Sequence, residues 1–416
     1  MRSLSLQDSR SDITQTSRRK MATFKAGRIG EIADRVRLKL HHEDVLIAEQ
    51  YEVSCSLFRQ PATFSITVGH AGTAAQLIKK YPVGSPFQLF IGDVPQFTGV
   101  LDDPSAESTT NGTSVTFRGR DASAPLHDDH IDSERTFKDD TYLSLAKKQL
   151  EAVGLGDRAI ATSNRANRKV KGGVPIQELS APARTVEQIL THAAGAPGVI
   201  HQQIQARLNE KRYEFLLRYL QLAGLFFWAA ADGSFVLSEP NTKQAPVSSI
   251  LRRVGMSRNE TNVISGAWQD YTSNRFSKYE VYGRGTGGKN GHAKALGEYI
   301  DDEMTARGFV KRKIWRSQNA RTKEQATFLA RRMCAEDRRN GSNLRYTVAG
   351  HTTPFTGGGQ RAVWTPDTIV RIDDEIFGVH EPMYLTDCTY RCSSSGTTTD
   401  IVLQSPNDQV YGPGEF

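Results

Sequence analysis

The chain has 416 residues, 38% of them hydrophobic and 24% charged, with a formal net charge of +7. This balance excludes a disordered chain and allows two to four domains with full cores. It admits an acidic partner or nearby nucleic acid without demanding either. No run of about 18 apolar residues is present, and the N-terminus lacks an apolar signal core, so neither a transmembrane helix nor a secretory leader is expected.

Residues 1–30 read as a polar, flexible arm that includes Ser17-Arg18-Arg19-Lys20, just before Met21. A first β zone follows, over 31–124. Val36-Arg37-Leu38-Lys39-Leu40, Phe64-Ser65-Ile66-Thr67-Val68 and Ser114–Arg120 alternate apolar and polar residues, which places one face of each in a core. Gly69, Pro82, Gly84, Gly92, Pro95 and Gly112 punctuate these runs, as in a small barrel or sandwich.

Residues 125–255 read as a small α+β domain. One helix is predicted after Thr141 through Leu143, Ala146, Leu150 and Val153, closed by Gly154. Another is predicted from the Thr185/Gln188 capping box, and a third over 210–223. Asp232-Gly233 between two apolar runs signals a hairpin. Residues 256–405 return to β around one helix, 322–339. Its apolar stripe is Ala326, Leu329, Ala330, Met333 and Cys334. Strands are predicted at 344–348, 368–372, 375–379, 383–385, 387–390 and 399–403, and 406–416 reads as an extended tail.

Candidate chemistry is sparse. Gly283-Arg284-Gly285-Thr286-Gly287-Gly288-Lys289-Asn290 nearly spells a P-loop, but Asn290 stands where Ser or Thr would hold magnesium. Nor does a convincing helix follow to supply amides and a dipole. A glycine loop between strands is the simpler reading, and a nucleotide-binding or tail-associated enzyme is the alternative. His127-Asp128-Asp129-His130 offers metal-ligand types but reads as a solvated linker. His41-His42 would point opposite ways on a strand. The four cysteines, Cys55, Cys334, Cys388 and Cys392, are too scattered for a disulfide framework, and assembly in a reducing cell interior is expected. Cys388 and Cys392 would stand about 13 Å apart along a strand, too far for a bond. Asp139-Asp140, Asp301-Asp302 and Asp373-Asp374 are neighbours in sequence only. Basic residues gather at Arg165, Arg168, Lys169 and Lys171. They gather again at Lys311, Arg312, Lys313 and Arg316 around Trp315, and at Arg331, Arg332, Arg338 and Arg339. They read first as solvated or subunit-contact surface, and secondly as a nucleic-acid face. No catalytic, cofactor-binding or metal-binding residue is assigned, and no cofactor is expected.

The order of these pieces resembles the baseplate hub proteins of Mu-like contractile phages, the late control protein D family. More distantly it is similar to the hub part of type VI secretion spike proteins. The resemblance rests on Phe117-Arg118-Gly119-Arg120-Asp121, on Arg212–Leu237, and on Asn274–Gly283. It continues through the helix 322–339 leading into Arg345–Gly350, through Val363-Trp364-Thr365-Pro366-Asp367, and through Gly396–Leu403. It implies an α+β, β-dominated fold: two tail-tube-like β-barrel domains with an inserted small α+β domain. It implies a homotrimer forming a pseudo-sixfold ring between a hexameric tail tube and a trimeric central spike, with DNA as transient cargo in the lumen. The expected neighbours are the spike and tail tube proteins, together with baseplate wedge, adaptor and tape measure proteins. Residues 1–30 and the segment 283–308 depart from the family pattern. No needle-like module follows residue 405, so the spike is expected to be a separate chain.

Overall fold

The computed structural model describes residues 34–409, except 164–203, 284–294, 354–361 and the shorter segments 42–43, 48–49, 59, 70–73, 111, 133–135, 138–141, 221–224, 239, 256–260, 318–319, 321–322 and 394–395. The arm 1–30, the helix expected from Thr185, the basic group Arg165–Lys171 and Asp139-Asp140 therefore lie outside the described residues.

The first zone comprises β1 (Val36–Leu40), β2 (Asp44–Ile47), β3 (Gln50–Ser56), β4 (Thr63–Gly69), α1 (Ala74–Lys80), β5 (Pro86–Ile91), β6 (Val94–Thr109) and β7 (Gly112–Asp121). Alternation places Val36, Leu38 and Leu40 of β1, Phe64 and Ile66 of β4, and Val115 and Phe117 of β7 in the core. Helix α1 was not expected. It is two turns long, too short for a helical period to show. Leu77 and Ile78 seat it on the core, and Lys79 and Lys80 suit its C-terminal dipole.

The middle stretch holds α2 (Ala124–Asp128), β8 (Thr136–Phe137), α3 (Tyr142–Ala152), β9 (Ile160–Ser163), β10 (Ile204–Gln205), α4 (Arg212–Leu220), β11 (Phe226–Ala229) and β12 (Phe235–Ser238). The buried stripe of α3 is Tyr142, Leu145, Ala146, Gln149 and Leu150, rotated from the predicted one, so that Leu143 is only half-buried. The hairpin at Asp232-Gly233 forms as predicted. Gly233 takes φ +82°, and Asp232 accepts from the Ser234 amide and hydroxyl. Strand β9 then adds to β12 in parallel.

The last zone runs β13 (Ser248–Arg252), β14 (Val263–Asp270), β15 (Lys278–Tyr282), β16 (Leu296–Ile300), α5 (Asp302–Ala306), β17 (Arg312–Arg316), α6 (Lys323–Gly341), β18 (Ser342–Ala349), β19 (Thr352–Thr353), β20 (Ala362–Val363), β21 (Thr368–Asp374), β22 (Pro382–Ser393) and β23 (Gly396–Gln404). The strand expected at 375–379 is instead a turn. The fully buried Asp374 carboxylate accepts from the amides of Ile376 and Phe377, and Gly378 adopts φ +67°. The two strands expected at 383–385 and 387–390 are one strand, β22, interrupted by a bulge at Thr386. Residues 406–408, read as the start of an extended tail, form a 3-10 turn capped by Ser405.

The fold is a β-dominated α+β arrangement. One sheet runs antiparallel through β14-β18-β23-β22-β3-β4-β7-β6-β5-β1-β2, with β21 antiparallel on β22 and β13 parallel on β21. Strand β22 is the shared member. One edge lies wholly along β23. The other edge pairs with β21 over 382–385 and with β3 over 387–392. The handover falls at the Thr386 bulge, whose carbonyl accepts from Leu57 N and whose hydroxyl reaches Asp387 and the Val402 carbonyl. Both zones consequently contribute to one apolar core. A smaller sheet, β16-β15-β17, packs under α6 through Tyr279, Val281, Ala326, Ala330 and Cys334. Gly297 of β16 touches the α6 backbone, since a Cβ there would lie 1.9 Å from Thr327 N.

Candidate assembly surface

A polar clasp crosses the joint between the zones. Asp34 Oδ1 accepts from the amides of His351 (3.0 Å) and Thr352 (2.9 Å) and from the Thr352 hydroxyl (2.8 Å). His351, fully buried, lies 2.6 Å by Nε2 from Tyr51 Oη and 2.9 Å by Nδ1 from Thr399 Oγ1. Thr399 gives its proton to the Gly350 carbonyl. It must therefore accept from Nδ1–H, which leaves Nε2 to accept from the Tyr51 hydroxyl. The imidazole is thus neutral. Burial lowers its pKa to about 4 against the pull of the Asp34 carboxylate, and burial likewise holds the Tyr51 phenol far above its ordinary range.

A second constellation ties the satellite sheet to the main one. Asp301, fully buried, caps α5 by accepting from Met304 N. It also accepts from Arg338 Nη2 at 2.5 Å and from Arg275 Nη2 at 3.2 Å. Arg275, itself buried, reaches Glu303 at 2.6 Å and approaches Asp270 of β14 at 3.5 Å. Burial alone would raise the Asp301 pKa, but the Arg338 and Arg275 guanidiniums hold it at about 2. The Arg338 guanidinium also approaches Asp408 of the C-terminal turn at 3.6 Å.

These contacts account for most of the sequence-derived candidates. Asp301 is a cap and ion partner. Its neighbour Asp302 opens α5. Asp373 pairs with Arg253 (2.6 Å) and His380 (2.8 Å). Asp128 binds Arg120, Asp129 binds Arg212, and His127 stacks on Tyr213 at 3.9 Å, so the His127–His130 run braces α2 against its neighbours. His41 is in a turn at φ 48°, not on a strand as expected. It stacks on Tyr81, while His42 lies outside the described residues. Among the described residues no group of three or more His, Cys, Asp or Glu could hold a metal. Of the basic groups, Lys311 donates to the carbonyls of Thr272 and Ser273, Lys313 binds Asp337, and Arg339 donates to the Asp408 carbonyl. Of the glycine loop only Gly283 is described. The loop leaves β15, and the next described strand, β16, returns antiparallel to β15. A phosphate loop requires a helix in that place.

Sequence reasoning missed Asp34, Tyr51, His351 and Arg275 as functional contacts. Their partners are far away in the chain, and no local spacing announces them.

Two strand edges carry exposed large apolar side chains. Among the described residues β14 pairs only with β18, and β17 only with β15. Ile264 and Trp268 of β14, and Ile314 and Trp315 of β17, are each more than half exposed. Unpaired strand edges that carry large apolar side chains are templates for association.

No family model and no curated protein matches the chain. Its fold is that of phage tail proteins. The chain is similar to the 43 kDa tail protein of prophage MuSo2 from Shewanella oneidensis, with a TM-score of 0.68 and 20% identity, over 90% of this chain and 99% of that one. It is similar to the tail protein from Neisseria meningitidis MC58, with a TM-score of 0.68 and 19% identity, over 91% and 98%. A chain of the Francisella PdpA-VgrG complex matches with a TM-score of 0.55 and 10% identity, over 98% of this chain and 63% of that one.

Proposed function

We propose that the chain is the structural hub of a contractile phage tail or tail-like particle. Three copies close into a pseudo-sixfold ring that joins the hexameric tail tube to the trimeric central spike. The observation that carries this reading is the continuous sheet in which β22 belongs to both zones, in a chain that shares its fold with prophage tail proteins over nine-tenths of its length. A rigid unit with two β zones supplies two ring positions per subunit, so three subunits fill six. We assign 31–124 and 256–405 to the two tube-like barrels, 125–255 to the inserted α+β domain, and 1–30 and 406–416 to the termini.

In this reading the exposed edges of β14 and β17 meet neighbouring copies or the adjoining tail proteins. The spike and tube proteins are the principal partners. Wedge, adaptor and tape measure proteins contact the rim, and DNA only passes through the lumen. The subunit acts by shape, without a cofactor or a catalytic residue. It resides at the tail baseplate of the virion after assembly in the host cytoplasm. The test is the solution mass of the purified chain, alone and with its neighbouring spike protein. A trimer, or a trimer formed when the spike is added, supports the hub. A monomer indifferent to both spike and tube overturns it.

A further inference from the structure

We propose that Cys55 and Cys388 form a peroxide-responsive dithiol site that closes into a disulfide across the joint between the two β zones. The two residues stand directly opposite each other in the antiparallel ladder of β3 and β22. Opposed residues in such a ladder share a face, with Cα atoms about 4.5–5.5 Å apart. This separation lies inside the roughly 4.4–6.8 Å that a disulfide spans. Both thiols are free. Cys388 is a member of the main core, and Cys55, half-buried, packs against it. The other cysteines do not compete. Cys392 is opposite Tyr51, and Cys334 belongs to the separate core beneath α6.

The chemistry follows from this asymmetry. Hydrogen peroxide reaches Cys55, the half-buried member of the pair, first. The Cys55 sulfur attacks the O–O bond and becomes a sulfenic acid, and the peroxide is reduced to water. The Cys388 sulfur then attacks the Cys55 sulfur, forming the S–S bond and expelling the hydroxyl as a second water. The two thiols together give up two electrons to one peroxide. Burial raises the Cys55 pKa to about 12 and that of Cys388 well above its ordinary value. Thiolate is therefore scarce, so the reaction is slow and the pair stays reduced until peroxide is in excess. The inference stands independently of the hub reading.

Full-length reduced protein is exposed to hydrogen peroxide, its remaining thiols are alkylated after denaturation, and the non-reduced digest is analysed by mass spectrometry. The expected product is a linked Cys55–Cys388 peptide, lighter by two hydrogens than its parts, with Cys334 and Cys392 alkylated. The non-reducing gel keeps single-chain mobility. The melting temperature rises by roughly 5 °C, returns on treatment with dithiothreitol, and does not rise in Cys388→Ala. Over-oxidised Cys55 beside an alkylated Cys388, a bond to any other cysteine, or a cross-linked dimer overturns the proposal.

Discussion

Asp301 concentrates the energetics of the satellite sheet in one carboxylate. Its side chain is 0% exposed, and that of Arg275 beside it 2%. Asp301→Asn leaves the Arg275 charge buried with less compensation, at a cost of roughly 3–5 kcal/mol, read from the urea midpoint. Glu303→Gln touches the same arginine but changes a side chain that is 45% exposed, and should cost under about 1 kcal/mol. The pH response has two windows. The Asp301 pKa is depressed, so its contribution is complete above the unfolded value of about 4 and is lost as pH falls through about 2. His351 is also depressed, but it is a base. The unfolded chain takes up a proton below about pH 6.5 that the folded chain refuses until about 4, so stability falls as pH drops through that interval. Between pH 7 and pH 5 this one histidine should remove roughly 2 kcal/mol. Burial lowers His127 to about 4 as well, and it adds in the same direction. His351→Gln should be less stable at pH 7 and show a shallower decline towards pH 5 in urea titrations.

At the level of elements, α6 and β16 meet backbone to backbone. Gly297→Ala would place a methyl 1.9 Å from Thr327 N, where no flexible side chain can yield. A loss of roughly 3 kcal/mol is expected, visible as a lowered thermal midpoint. The glycine loop makes the opposite prediction. Because β15 and β16 on either side of it pair antiparallel, Gly288→Ala with Lys289→Ala should leave the thermal midpoint unchanged and should not alter retention on an ATP resin. What could be read in the sequence follows the same division. Alternation in β1, β4 and β7 and the stripe of α6 were legible because they are local and strongly periodic. Helix α1 was not, because two turns carry no period. The 375–379 segment was misread because Ile376, Phe377 and Val379 have strand-like composition. Its turn is set by hydrogen bonds from a buried Asp374 that composition cannot reveal. The clasp of Asp34, Tyr51 and His351 joins residues some 300 positions apart, and no window in the sequence contains it.

On the scale of the whole molecule, two β zones recognised separately in the sequence prove to share one large sheet and its core. Strands within each zone were legible as strands. Their fusion was not, because β3 and β22 look like any other alternating strands and nothing in either specifies the other as its partner. The bulge at Thr386 lets one edge of β22 serve two partners, and it has no sequence signature beyond a threonine between Leu385 and Asp387.

The shared strand also sets an order of events for a chain emerging from the ribosome. Strands β4 to β7 lie close together in sequence and can pair soon after they are made, but the outer edge of β3 waits for β22, more than 300 residues later. Closing so long a loop is slow, and an unsatisfied edge is sticky in the interval. Pulse-labelled hydrogen exchange during refolding should therefore protect amides of β6 and β7 before those of β22. Protein caught in between should be the fraction most prone to aggregate, and a molecular chaperone that covers one strand edge would raise the yield of folded chain.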